Sequence, residues 1–188
     1  MWRRRGIEFW KKRRNSEKRD VCAMAREISA GGVVLREIAG TWHVALIEPQ
    51  KEDAEGAKSA RKRSRAVLSL PKGLVDAGEK AQAAAIREVY EETGIRAEVV
   101  TKLADLKYVY VRSWGDGERV FKIVSFYLMR YVSGEIDHLA ADMRIEVKRA
   151  LWIPLAEASR QMAHSSERKL LGQAQKYLET NGLSAQRA

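Results

Sequence analysis

Three glutamates, Glu88, Glu91 and Glu92, follow Arg87 in the stretch GLVDAGEKAQAAAIREVYEETGI, residues 73–95, which holds five acidic residues in a chain of formal net charge +10. A helix is expected here, beginning near Glu79. At about 100° per residue, the three glutamates fall within about 100° of one another, while Ala85, Ile86, Val89 and Thr93 point away as the core side. Ala81 and Ala84 share the carboxylate side, where small side chains leave room for an ion; good helix propensity alone also accounts for them. Arg87 stands one turn before Glu91 and can pair with it. Three carboxylates on one face repel unless a cation stands among them, which suits a hard, oxygen-seeking ion such as Mg²⁺ or Mn²⁺. The competing reading is an acidic surface helix solvated by water.

Extended segments must hold that helix. EISAGGVVL and WHVALIEP read as two strands joined at Ala39-Gly40. The stretch 50–66 lacks an apolar period and reads as an exposed loop. VLSLP returns to extended structure, because the residue before Pro71 is pushed out of the helical region. After the acidic helix, RAEVVTKLADLKYVYVRS and RVFKIVSFYLMRYV flank WGDGE and predict a hairpin. EVKRALWIPL reads as a last strand, with Pro154 beginning a helix over LAEASRQM. Leu170, Leu171, Ala174 and Leu178 at helical spacing predict a terminal amphipathic helix that stops near Gly182. Strands interleaved with a few helices indicate a mixed sheet with helices packed against it.

With 188 residues at 45% hydrophobic composition, one domain with its own core is expected over residues 25–182, flanked by a basic extension, 1–24, and a short tail, 183–188. The single cysteine, Cys22, excludes an intrachain disulfide or a cysteine zinc cluster, and a reducing cytoplasm is the expected compartment. No apolar run approaches the ~20 residues of a membrane span, so no membrane partner is expected. The charge is concentrated. Residues 1–20 hold nine Arg or Lys against three acids, and KSARKRSR, residues 58–65, adds five more cations within the loop. Such runs are solvated tails or contacts for a polyanion, nucleic acid among them.

The acidic stretch also resembles, position by position, the signature of the Nudix hydrolases. Gly73, Glu79, Arg87, Glu88, Val89, Glu91, Glu92, Gly94 and Ile95 occupy its fixed positions, and the resemblance extends over residues 27–178. It implies an α/β fold of the Nudix type, an α/β/α sandwich around a mixed β-sheet. It further implies hydrolysis of a nucleoside diphosphate linked to another group, by water attacking phosphorus beside divalent metal. In the family, the positions matching Glu88, Glu91 and Glu92 bind metal, often with the carbonyl matching Gly73, while those matching Glu79 and Arg87 orient the loop and helix. Glu146 resembles a downstream glutamate that serves some branches as general base; a helix glutamate is the alternative base.

LSLPKG before the box and FKIVSFYLM after it look like the branch that cleaves dinucleoside polyphosphates or diphosphoinositol polyphosphates. Lys72 and Lys122 are candidates for phosphate oxygens, and Arg63 with its basic neighbours in the loop for a long polyphosphate. Tyr110 stands where an ADP-ribose branch carries proline, which ranks that substrate lower. Tyr108, Tyr110 and Trp114 are candidates for stacking on a base, although strand aromatics also fill cores. His43, His138 and His164 have no partner at metal spacing and receive no role. A nucleoside triphosphate or RNA 5′-end pyrophosphohydrolase is the alternative enzyme. A non-catalytic nucleic-acid-binding module is the rival from another class, and the intact glutamate set argues against it. Composition leaves the oligomeric state open.

Overall fold

The computed structural model describes residues 24–50, 68–112, 117–162 and 164–183. The basic extension up to residue 23, the loop from 51 to 67 and the tail after 183 lie outside the described residues.

Two strands, β1 (Ala25–Ile38) and β2 (Thr41–Pro49), form an antiparallel hairpin whose register closes at Ile38 and Thr41. Its turn residues Ala39 and Gly40 both have positive φ, 48° and 74°, the backbone that a two-residue turn needs to follow the strand twist. A short strand, β3 (Lys72–Leu74), pairs with β1 at Ser29–Gly31. Sequence periodicity did not predict it, because three residues carry no period. Helix α1 (Ala81–Thr93) follows, then the long hairpin β4 (Ile95–Val111) and β5 (Arg119–Gly134). A single 3₁₀ turn at Met143–Ile145 precedes β6 (Val147–Pro154). Pro154 caps only one turn of helix, α2 (Leu155–Ala158), where a longer one was expected, and α3 (Ser165–Asn181) ends on Gly182 as expected.

The sheet runs β4-β5-β1-β2-β6, with β3 beside β1. β1 and β5 are parallel from Ala25↔Val120 to Leu35↔Arg130, whereas the other pairs are antiparallel, so the sheet is mixed. Successive strand residues face opposite ways, and this alternation splits the core in two. Ala30, Val34, Ala45 and Met129 pack against Ala84, Ala85 and Val89 of α1. Val33, Leu35, Val124, Phe126 and Leu128 pack against Leu170, Leu171 and Ala174 of α3. Each fully buried Leu or Val contributes roughly 1.5–3 kcal/mol. The expected α/β/α sandwich is what the chain forms.

Helix α1 differs from expectation in two respects. It starts at Ala81, not near Glu79, because Gly78 at φ 81° turns the chain just before it. Its buried stripe is also rotated toward the carboxylates: Ala84, Glu88 and Glu92 are buried with Ala85, Val89 and Thr93, while Ile86 is 38% exposed. Ala84 is therefore part of the core and leaves no room for an ion. The cause is that α1 packs on β3 as well as β1, so the chain covers the side of the helix that bears Glu88 and Glu92.

Candidate active site

Glycines bring the loop onto the helix. A Cβ on Gly73 would fall inside the van der Waals envelope of the Glu88 carboxylate, so only glycine lets β3 pass there. Gly94 ends α1 in the left-handed region at φ 77°, donating its N–H to Tyr90 O at 2.8 Å; a Cβ there would meet His138 O at 2.6 Å. The loop between is clamped by Arg87. Its Nε and Nη2 donate to the two Glu79 oxygens at 3.1 and 2.9 Å, Nη2 also donates to Leu74 O at 2.9 Å, and Nη1 donates to Glu88 at 2.8 Å and Glu91 at 2.9 Å. Glu79 in turn accepts from Asp76 N at 3.1 Å. One guanidinium thus ties the loop to the helix through a fork of charge-assisted bonds.

Burial sets the proton affinities of these groups. Burial pushes Glu92 up to about 8, against the charge of Lys72 and the bond from Lys72 N to Glu92 Oε2 at 2.7 Å. Burial also raises Glu88, although Arg87 opposes it, while the Arg87 bond holds Glu79 below its ordinary value. Arg87 is held far above its own, with Glu79 as the largest cause. Glu146 is near enough for its charge to raise both Glu88 and Glu92. Electrostatically, then, the structure brings Glu146 to the helix glutamates across more than fifty residues of chain.

A brace holds the Glu146 turn. Asp137 Oδ1 accepts from Arg144 Nη1 at 2.9 Å and from Ala150 N at 2.7 Å, and Asp137 N donates to Thr93 O, next to Glu92, at 2.9 Å. Gln50 N donates to Glu146 O at 2.7 Å from the other side. Glu146 follows the 3₁₀ turn and precedes β6, with its side chain toward solvent.

On the α3-facing side of the sheet lies a cavity of about 360 Å³, lined by Lys72, Leu106, Lys107, Tyr108, Val124, Phe126 and, at the start of α3, His164, Ser166 and Glu167. Lys72 alone belongs both to this cavity and to the row. Tyr108 is placed on the wall of this cavity. Tyr110 and Lys122 are not: Tyr110 Oη donates to Glu27 at 2.8 Å, Lys122 Nζ stands 3.4 Å from Glu27, and Arg112 completes that network. Arg63 and Trp114 lie outside the described residues. Glu167 was missed in the sequence, as was His164's place on the cavity wall; an acidic residue in a first helical turn reads as ordinary dipole pairing.

The row's donors are all oxygens, and Gly73 keeps the backbone against Glu88, so the residues fit a hard divalent cation. Among the described residues no three acidic or imidazole groups yet converge on one point, since Arg87 occupies the space between Glu88 and Glu91.

A loop clamped onto a glutamate-bearing helix beside a mixed sheet is the setting of the sequence signature, and the family follows from it: the NUDIX domain matches residues 29–173, and the chain belongs to the Nudix family. Among relatives, it is 40% identical over 147 residues to the protein named MutT4 of Mycobacterium tuberculosis, covering 77% of this chain and 52% of that one. The chain thus spans about half the length of that relative. It is 30% identical over 122 residues to an RNA pyrophosphohydrolase of Roseobacter denitrificans, covering 61% of this chain and 75% of that one. In fold it matches an Ap4A hydrolase of C. elegans at a TM-score of 0.60 and 23% identity, over 81% of this chain and 98% of that one. Among the described residues no helix is long and apolar enough to cross a membrane.

Proposed function

We propose that the chain is a divalent-metal-dependent pyrophosphohydrolase that cleaves a phosphoanhydride bond of a nucleotide polyphosphate, a dinucleoside polyphosphate foremost. The observation that carries this reading is the position of Lys72, whose backbone N–H meets Glu92 and which also lines the apolar cavity. A base seated in that cavity would bring its phosphates past the lysine to the carboxylates. An inositol polyphosphate, charged on every side, suits apolar walls less well.

Glu88, Glu91, Glu92 and the carbonyl of Gly73 are the groups that would hold Mg²⁺ or Mn²⁺, with Arg87 fixing the Glu88 and Glu91 carboxylates and the Lys72 N–H that of Glu92. Bound divalent metal neutralises phosphate charge and lowers the pKa of a coordinated water. Glu146, beside the row, is the candidate to accept the proton of the attacking water and to add a further oxygen ligand. Lys72 meets a phosphate oxygen. Lys122 and Tyr110 lie farther along the same strands, held by Glu27, where only a long substrate would reach them; Arg63 is assigned the same kind of substrate. The Nudix domain is assigned to residues 25–182.

A second reading, attack on RNA 5′ ends, is favoured by the two basic runs and by the name of the Roseobacter relative. Incubation with Mg²⁺ and dinucleoside polyphosphates, nucleoside triphosphates, diphosphoinositols, ADP-ribose and triphosphorylated RNA tests the assignment. Fastest turnover of a dinucleoside polyphosphate supports it. Preference for diphosphoinositol or ADP-ribose overturns the substrate, and no phosphoanhydride cleavage overturns the activity.

A further inference from the structure

The cavity on the α3-facing side of the sheet has apolar walls into which one acidic group, Glu167, is set, with Lys72 and Lys107 as its basic lining residues. Leu106, Val124, Phe126 and the ring of Tyr108 supply a slot suited to a planar ring, in a volume of about 360 Å³, within the range of small-molecule sites. Glu167 lines that slot while only 3% exposed. Its Oε2 accepts from Leu70 N at 3.0 Å, which fixes the carboxylate from behind. The Tyr108 hydroxyl holds its proton more tightly than usual, through burial and then through the Glu167 charge, so ring and carboxylate are neighbours.

A carboxylate offers acceptors only, two oxygens side by side. The complementary edge has two adjacent N–H donors. Guanine presents that pair, its ring N1–H and its exocyclic amine. Adenine presents one donor next to a ring nitrogen acceptor, whose lone pair would face a carboxylate oxygen. From this match we propose that the cavity is a nucleobase subsite in which Glu167 selects a guanine edge, which rests on the nucleotide reading above and narrows its substrate. The Glu167 carboxylate accepts both donors, the apolar walls sandwich the ring, and Lys72 stands on the side from which the phosphates leave toward Glu92. Buried groups built to bond a specific edge reject the wrong one strongly, because the mismatch leaves polar atoms unpaired.

The test is equilibrium binding of non-hydrolysable imido analogues of GTP, ITP and ATP to the full chain, with Ca²⁺ present. The guanine analogue is expected to bind at least about tenfold more tightly than the adenine one, and the hypoxanthine analogue, lacking the exocyclic amine, to fall between. Glu167→Gln keeps an acceptor for Leu70 N but turns the acceptor pair into one acceptor and one donor, the complement of adenine. It is expected to bring the guanine-to-adenine ratio to about one or below, a reversal that a purely structural glutamate would not produce. Equal binding of the three analogues by the parental chain overturns the proposal, a result available even if the variant does not fold. An unchanged ratio in a folded variant also overturns it. Selective binding without hydrolysis of the natural nucleotides would leave the subsite standing and defeat the hydrolase reading, while hydrolysis without base preference would do the reverse.

Discussion

The backbone N–H of Lys72 donates to Oε2 of Glu92 at 2.7 Å, so the residue that enters the cavity is bonded, through its main chain, to a carboxylate of the catalytic helix. Moving either one moves the other. Glu92→Gln keeps an oxygen for this bond and removes one charge, and Glu91→Gln keeps an oxygen for Arg87 and removes one charge at the exposed end of the row. Each is expected to lower turnover by roughly two orders of magnitude at saturating Mg²⁺, with the fold intact by circular dichroism. Near-parental rates in folded variants would remove these glutamates from the metal site.

Gly73 tests the close approach itself. Gly73→Ala places a methyl against the Glu88 carboxylate, and either β3 or Glu88 must shift. The expected cost is about 1–3 kcal/mol of stability by chemical denaturation, together with a rise of at least about tenfold in the Mg²⁺ concentration for half-maximal rate. A variant with unchanged metal dependence would show that Glu88 is not a ligand.

In the metal-free chain, Glu92 carries a pH dependence of known sign. Its native value, about 8, lies above the 4.5 of an unperturbed glutamate, so the folded state binds its proton more tightly than the unfolded one. That stabilisation is full below the unfolded value and is lost as pH rises through the native one. With EDTA present, the denaturation midpoint is expected to fall between about pH 5 and pH 9, by an amount on the order of a few kcal/mol. Glu88, also raised by burial, acts in the same direction. Glu92→Gln should flatten the profile, and an equally steep curve in that variant would mean that the dependence originates elsewhere.

The Asp137–Arg144 brace is expected to act through Glu146. Arg144→Gln breaks the bonds from the guanidinium to the Asp137 carboxylate and carbonyl that hold the turn, and turnover should drop by about tenfold with little change in KM, while the acidic limb of the pH–rate profile weakens. In a Glu146→Gln background the same change should cost almost nothing more, since the group it positions is gone. Additive losses would assign the brace to general stability.

The legible parts of this molecule are those whose signal is local and periodic. The Val-, Ile- and Leu-rich runs of β1 and β2, the β4–β5 hairpin and the amphipathic α3 all follow from neighbours in sequence, and the Arg87–Glu91 pair follows from one helical turn. Ile86 was misplaced because α1 is covered by β3 as well as by the sheet, a contact that no helical wheel contains. Lys122 and Tyr110 were read as free for substrate, whereas Glu27 draws both to itself across more than eighty residues of chain. Glu167 escaped notice for the same reason, since the Leu70 N–H it accepts lies 97 residues away.

The alternation that divides the core also has a consequence for how this enzyme could diverge. On the function proposed above, residues that face α1 would answer to the cation and the broken bond, and those that face α3 to the shape of the bound molecule. Because a strand's neighbouring side chains point oppositely, exchange of an α3-facing residue such as Leu106 or Phe126 leaves the packing around Val89 untouched. Descendants of such a chain can thus change diet while keeping the same chemistry, and Lys72-Gly73, where a residue of the cavity is followed directly by one pressed against Glu88, is the stretch least free to drift.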